Sequence, residues 1–147
     1  MLSRGVLALL RDDEVRAVLS HETAHVDQRH DLVVLPFVAL SATFPRLPTV
    51  GTAQEQVALL VEMLADDRAT REHPPAVLAR ALCKVGAARV PDGGIGAATS
   101  PDGVLTRANR LVSPPAPLPA AGRALVVAAA VLVLLVPVLG VVLPALG

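Results

Sequence analysis

Five consecutive residues, His21-Glu22-Thr23-Ala24-His25, carry the clearest chemical signal in the sequence. On a helix, His21 and His25 fall on one face, one turn apart. Two neutral imidazoles at that spacing can share one zinc ion. Glu22, beside the first of them, is placed to take a proton from water as a general base. A catalytic zinc usually has three protein ligands and one open position. His30 follows His25 by five residues. The extended pattern that supplies a third His needs Gly three, and His six, residues after the second ligand. Gln28 and Asp31 stand there instead, so His30 reads as a polar or supporting residue.

Glu62, in the segment VEMLADDRA, is the better third ligand. Asp66 follows one helical turn later on the same side and can accept a hydrogen bond from a ligating imidazole, fixing its tautomer. The residues around Glu62 are apolar (Val57, Leu59, Leu60, Val61, Met63, Leu64). A carboxylate buried there without a partner is costly, and metal ligation resolves the cost. The alternative is exposure on a polar face with Glu55 and Arg68. Arg71 and His73 are candidates to stabilise a developing oxyanion, or simply to complement the C-terminal end of their helix. The lone cysteine, Cys83, excludes an internal disulfide and a cysteine-rich zinc site. On an apolar helix face it reads as a buried structural thiol.

The elements that must position these groups read as mainly helical. Asp12 or Asp13 caps a helix running to about Asp31, with Val15, Val18, Leu19 and Val26 supplying much of its apolar face. Residues 1–10 read as a short strand or loop, without the pattern of a secretory signal. Residues 32–45 carry no charge, are interrupted by Pro36 and Pro45, and read as a buried or interfacial segment too short to span a bilayer. Helical patterning resumes from about Ala53 to Glu72, where Pro74 and Pro75 stop it. A further helix covers about Ala76 to Ala88, with Gly86 near its end. Residues 91–103 are Gly-rich and turn-forming, and 113–119 form a stiff Pro-rich linker. Residues 124–143 are uncharged and span about 30 Å as a helix, the thickness of a hydrocarbon core. Arg107, Arg110 and Arg123 precede them and no charge follows, which places the N-terminal side in the cytoplasm. The expected organisation is a core at 1–90, a linker at 91–121 and a transmembrane helix at 122–144.

Charge excludes one class of partner. There are 13 basic and 13 acidic residues, for a net charge of zero, and only Phe37 and Phe44 are aromatic. Neither a global field nor a stacking surface is available for nucleic acid.

HETAH, followed after a short apolar segment by Glu62 and Asp66 in E-x-x-x-D spacing, resembles the integral-membrane gluzincin peptidases. Within them it is most similar to the β-lactam-sensor/antirepressor type, with CAAX prenyl proteases and the heat-shock membrane protease as more distant relatives. The resembling stretch runs from about Ser3 to Ala88. It implies a zincin-like core built on an active-site helix and a third-ligand helix. It implies Zn2+ held by His21, His25 and Glu62, with Glu22 as base and Asp66 as support. It also implies hydrolysis of a protein or peptide substrate at the cytoplasmic face of the cell membrane, with a transcriptional repressor as a partner. The sequence departs from that family by starting almost on the first strand, where relatives carry membrane helices. It also has no sensor domain after the apolar helix.

The leading reading is a membrane-associated zinc endopeptidase. Its rivals are a zinc-binding membrane regulator with an incomplete cleft, or a truncated fragment of such a protease, and a membrane-anchored interaction module in which HETAH is fortuitous.

Overall fold

The structure, a computed structural model, describes residues 8–88 and 100–145, with side chains described as far as Leu132. Most of the strand or loop expected over 1–10, and most of the Gly-rich segment 91–103, lie outside the described residues.

Helix α1 (Asp12–Asp27) begins with Asp12, Asp13 and Glu14 in its first turn, where acids complement the helix dipole. Glu14 closes the start of the helix by accepting from the backbone N–H of Arg11 at 2.9 Å. The same carboxylate accepts from Lys84 Nζ at 2.6 Å, so it also ties α1 to a helix far along the chain. The face that turns inward is Glu14, Ala17, Val18, His21 and Ala24. Of the apolar face expected from the sequence, Val18 turns inward and Val15 is part-buried, but Leu19 is 51% exposed and Val26 76% exposed. Two polar residues on the buried face find specific partners, and their contacts outweigh the burial of one Leu and one Val.

A tight turn through Arg29, whose φ is 48°, leads into α2 (His30–Thr43). A non-glycine residue in this left-handed region carries a steric cost. The turn splits what the sequence suggested as one helix to Asp31 into two. Residues 32–45, expected to be buried or interfacial, form most of α2, whose buried residue is His30. Leu32, Val33, Leu35, Val38 and Leu40 are exposed, so the reading of this segment as ordinary core does not hold.

Helix α3 (Pro48–Ala69) starts with Pro at its first position, where a missing N–H costs nothing. It buries Val61, Ala65, Asp66 and Ala69. Helix α4 (Pro75–Ala88) follows the Pro74-Pro75 stop and buries Val77, Leu78, Ala79 and Ala81. Cys83 lies two residues past Ala81, around the far side of the helix, and is exposed, correcting the buried thiol expected from the sequence.

Within the stretch read as linker stands another helix, α5 (Pro101–Val112). The Ser100 side chain accepts from Gly103 N–H at 3.1 Å and Pro101 opens the first turn, a standard start signal. Helix α5 packs most extensively on α4, while α3 pairs with α1 and α2, and α1 with α4. Small residues make this possible. Ala17, Ala69, Ala79 and Ala108 join Val77, Leu78 and Leu111 in the core. A Cβ on Gly86 would meet Val104 at 3.0 Å, so glycine permits the close approach of α4 and α5. These helices belong to one compact unit, residues 1–114.

Residues 115–147 form a second unit. Its helix, α6 (Ala120–Ala145), contains the apolar stretch 124–143. Among the described residues, no helix is long and apolar enough to cross a membrane. The structure thus gives the expected transmembrane helix no support, and the stretch past Leu132 lies outside the described side chains.

Candidate metal centre

Helix α1 supplies His21 and His25 one turn apart, and α3 crosses it to supply Glu62. His21 Nε2 lies 3.2 Å from His25 Nε2. It lies 3.3 Å from Glu62 Oε2, and His25 Nε2 lies 3.4 Å from Glu62 Oε1. The three residues are the group among the described residues whose donor atoms converge as metal ligands. The spacing is itself a test of fit. Zinc bonds of roughly 2.0–2.1 Å place tetrahedral ligands about 3.3 Å apart. The two rings stand at close to that edge length, each has one Glu62 oxygen at a similar distance, and one donor atom from each residue lies within 4.8 Å of the others; two ring nitrogens and a carboxylate suit the ion.

Behind the trio sits a layer of buried charge. Asp66 Oδ1 lies 2.9 Å from His21 Nδ1, a close polar contact that falls short of hydrogen-bond linearity. Arg107 of α5 holds Asp66 with two hydrogen bonds, Nε to Oδ2 at 2.8 Å and Nη2 to Oδ1 at 2.7 Å. Its Nη1 reaches Glu62 Oε2 at 2.7 Å. Arg107 and Asp66 are both buried. One turn on, Arg110 makes a second forked pair with Asp67, at 2.7 and 2.8 Å. This pair sits nearer the surface, where an ion pair contributes less.

These contacts set the protonation states. Burial works against a charged His21, but Asp66 and Glu62 outweigh it and push its pKa up to about 9. Burial holds His25 below its ordinary value; the Glu62 charge opposes this, and the neighbouring His21 adds to it. Burial would raise Glu62 and Asp66. The first is instead lowered by His21 and Arg107, the second by Arg107 and His21.

Glu22 is exposed beside the trio, and its charge is felt at His25. His30 is buried against His25, in the supporting position that the sequence suggested. Arg71 is exposed at the end of α3. His73 lines a groove of about 410 Å³ with Arg16, Thr23, Asp27 and Glu72, to which none of the trio contributes. The structure brings neither to the metal ligands.

A model of peptidase family M48 matches residues 1–75, half of the chain. The chain belongs to peptidase family M48. No curated protein and no solved structure matches it. M48 is a family of zinc metallopeptidases, a coarser assignment than the β-lactam-sensor type suggested by the sequence. The matched part holds α1, α2 and α3, and so HETAH, Glu62 and Asp66.

Arg107 lies outside the M48 match and was missed by sequence reasoning, which read it only as a charge flanking a membrane helix. The signal was present. Gly103, Arg107, Ala108 and Leu111 share one helical face. An arginine on a face that buries its neighbours needs an acidic partner.

Proposed function

We propose that this M48 chain is a zinc-dependent endopeptidase, with His21, His25 and Glu62 as metal ligands, Glu22 as general base and Asp66 as support. The convergence of His21 Nε2, His25 Nε2 and the Glu62 carboxylate, which places one oxygen 3.3 Å from the first ring and the other 3.4 Å from the second, carries the reading. A zinc ion held there supplies a Lewis acid for the scissile carbonyl and lowers the pKa of water. The chain's own groups do the rest. Glu22 accepts a proton from the attacking water and returns it to the nitrogen of the leaving amine. Asp66 orients the His21 ring, and Arg107 keeps Asp66 and Glu62 ionised by pairing with both.

The substrate class is a protein, with a regulatory protein such as a repressor as the form that the family resemblance favours. The site of action is the cytoplasmic face of the membrane. Two features support membrane contact: the exposed apolar residues of α2 from Leu32 to Leu40 and the uncharged sequence of α6 after Arg123. An exposed apolar surface of this kind marks contact with lipid or protein.

Hydrolysis of an unstructured fluorescent protein by the full chain in lipid vesicles, compared with Glu22→Gln, tests the proposal. A loss of roughly 10²-fold or more is expected from removing a general base. Equal rates, or no hydrolysis by the unaltered chain, contradict it and favour a zinc-binding regulator without a complete cleft.

A further inference from the structure

His25 has two ring nitrogens, and only one faces Glu62. The other, Nδ1, lies 3.0 Å from Nδ1 of His30. The rings meet nearly at right angles, with centroids 4.8 Å apart, so the contact is nitrogen to nitrogen and not a stack. His30 Nε2 in turn lies 2.8 Å from Gln28 Oε1. His30 is 3% exposed, so water does not substitute freely for these partners.

Counting protons along this chain gives one arrangement that suits a metal ligand. A neutral imidazole carries one N–H and one lone pair. Gln28 Oε1 only accepts, so the N–H of His30 sits on Nε2. Its Nδ1 then presents a lone pair, and the proton between the two rings belongs to His25 Nδ1. That leaves His25 Nε2 with its lone pair facing His21 Nε2 and Glu62 Oε1. The opposite arrangement puts a proton on His25 Nε2, where a metal needs electrons.

We propose that His30, held by Gln28, is a positioning residue that fixes His25 as its Nδ1–H tautomer and so presents His25 Nε2 to the metal. The inference rests on the reading of His25 as a ligand. The two ligating rings are thereby oriented by different chemistry. A carboxylate backs His21 and a neutral imidazole backs His25. The backbone is shaped for the second arrangement, since the left-handed Arg29 turns the chain so that His30, five residues after His25, comes back against it.

Two measurements on the full chain test this. The first is ring-nitrogen NMR of the metal-free protein, which reads the His25 tautomer without any metal. The Nδ1–H form is expected in the unaltered chain and in His30→Asn, whose side-chain oxygen can take the place of Nδ1 as acceptor. A mixture of tautomers is expected in His30→Leu. The second is zinc affinity by chelator competition. His30→Leu is expected to bind roughly 10–100-fold more weakly, the usual cost of losing a group that orients a ligating histidine. His30→Asn is expected to recover most of that loss, and Gln28→Leu to fall between. A circular dichroism spectrum matching the unaltered chain shows that each variant folds. If His30→Leu fails to fold, Gln28→Leu at an exposed position carries the same comparison. Zinc binding unchanged in His30→Leu and Gln28→Leu, or a His25 found as the Nε2–H form, overturns the positioning role. No zinc binding by the unaltered chain overturns the ligand reading instead.

Discussion

Arg107 is the residue on which the charged layer turns. It pairs with Asp66 and Glu62 at once, and both acids lie among apolar neighbours. Removing one partner of such a cluster leaves buried charge without compensation. Arg107→Met is therefore expected to cost about 3–5 kcal/mol of metal-free stability, measured by urea unfolding. The loss should shrink when zinc is present, since the metal then neutralises Glu62. His21 sets a pH dependence of opposite sense to that of an acid. Its folded pKa is raised from 6.5 to about 9. Its contribution to metal-free stability is thus full below 6.5 and is lost as pH rises through about 9. The same proton competes with zinc, so apparent zinc affinity should climb with pH up to about 9 and then level. Calorimetry in buffers of different ionisation enthalpy should detect proton release on zinc binding near neutral pH. Absence of release contradicts the ligand role of His21.

Elements were more legible in the sequence than their orientation. Charge and proline placed the ends of α4 to within a residue, but α1 ends four residues before the expected Asp31 and α3 starts at Pro48, five residues before the expected Ala53. Orientation failed where polar residues turned inward. Glu14 and His21 occupy the buried side of α1 because each meets a partner from a distant helix, which no local pattern records. Glu14 makes this testable. Its pKa is lowered by the Arg11 backbone N–H and then by Lys84, against burial. Its contribution is present above its unfolded pKa and lost as pH falls through the folded value. Glu14→Gln should flatten that acid limb and weaken the α1–α4 join, seen as a lower Tm at pH 7 and a difference from the unaltered chain that narrows as pH falls below 4.5. Arg29 offers the converse test. Glycine tolerates the left-handed turn, so Arg29→Gly should be neutral or stabilise by up to about 1 kcal/mol, while a β-branched Val there should destabilise.

At the scale of the whole molecule, HETAH, Glu62 and Asp66 could be picked out in the sequence because ligand chemistry demands fixed residue types at helical spacing. The wall behind them could not, since α5 reaches it across residues 89–99, and its start signal sits in a stretch otherwise rich in glycine and proline. The candidate metal centre therefore draws on residues beyond both the M48 match and the expected core of 1–90. A chain ending at residue 90 should lose the cooperative unfolding that one ending at Pro114 retains, because α5 carries Arg107, Ala108 and Leu111 into the site and core. On the proposed function, His21, His25 and Glu62 together hold a metal. Metal analysis of the purified full chain, beside His25→Ala, tests it most directly. About one zinc per chain, lost in the variant, is the expected result. A correctly folded, unaltered chain that takes up no zinc would contradict it.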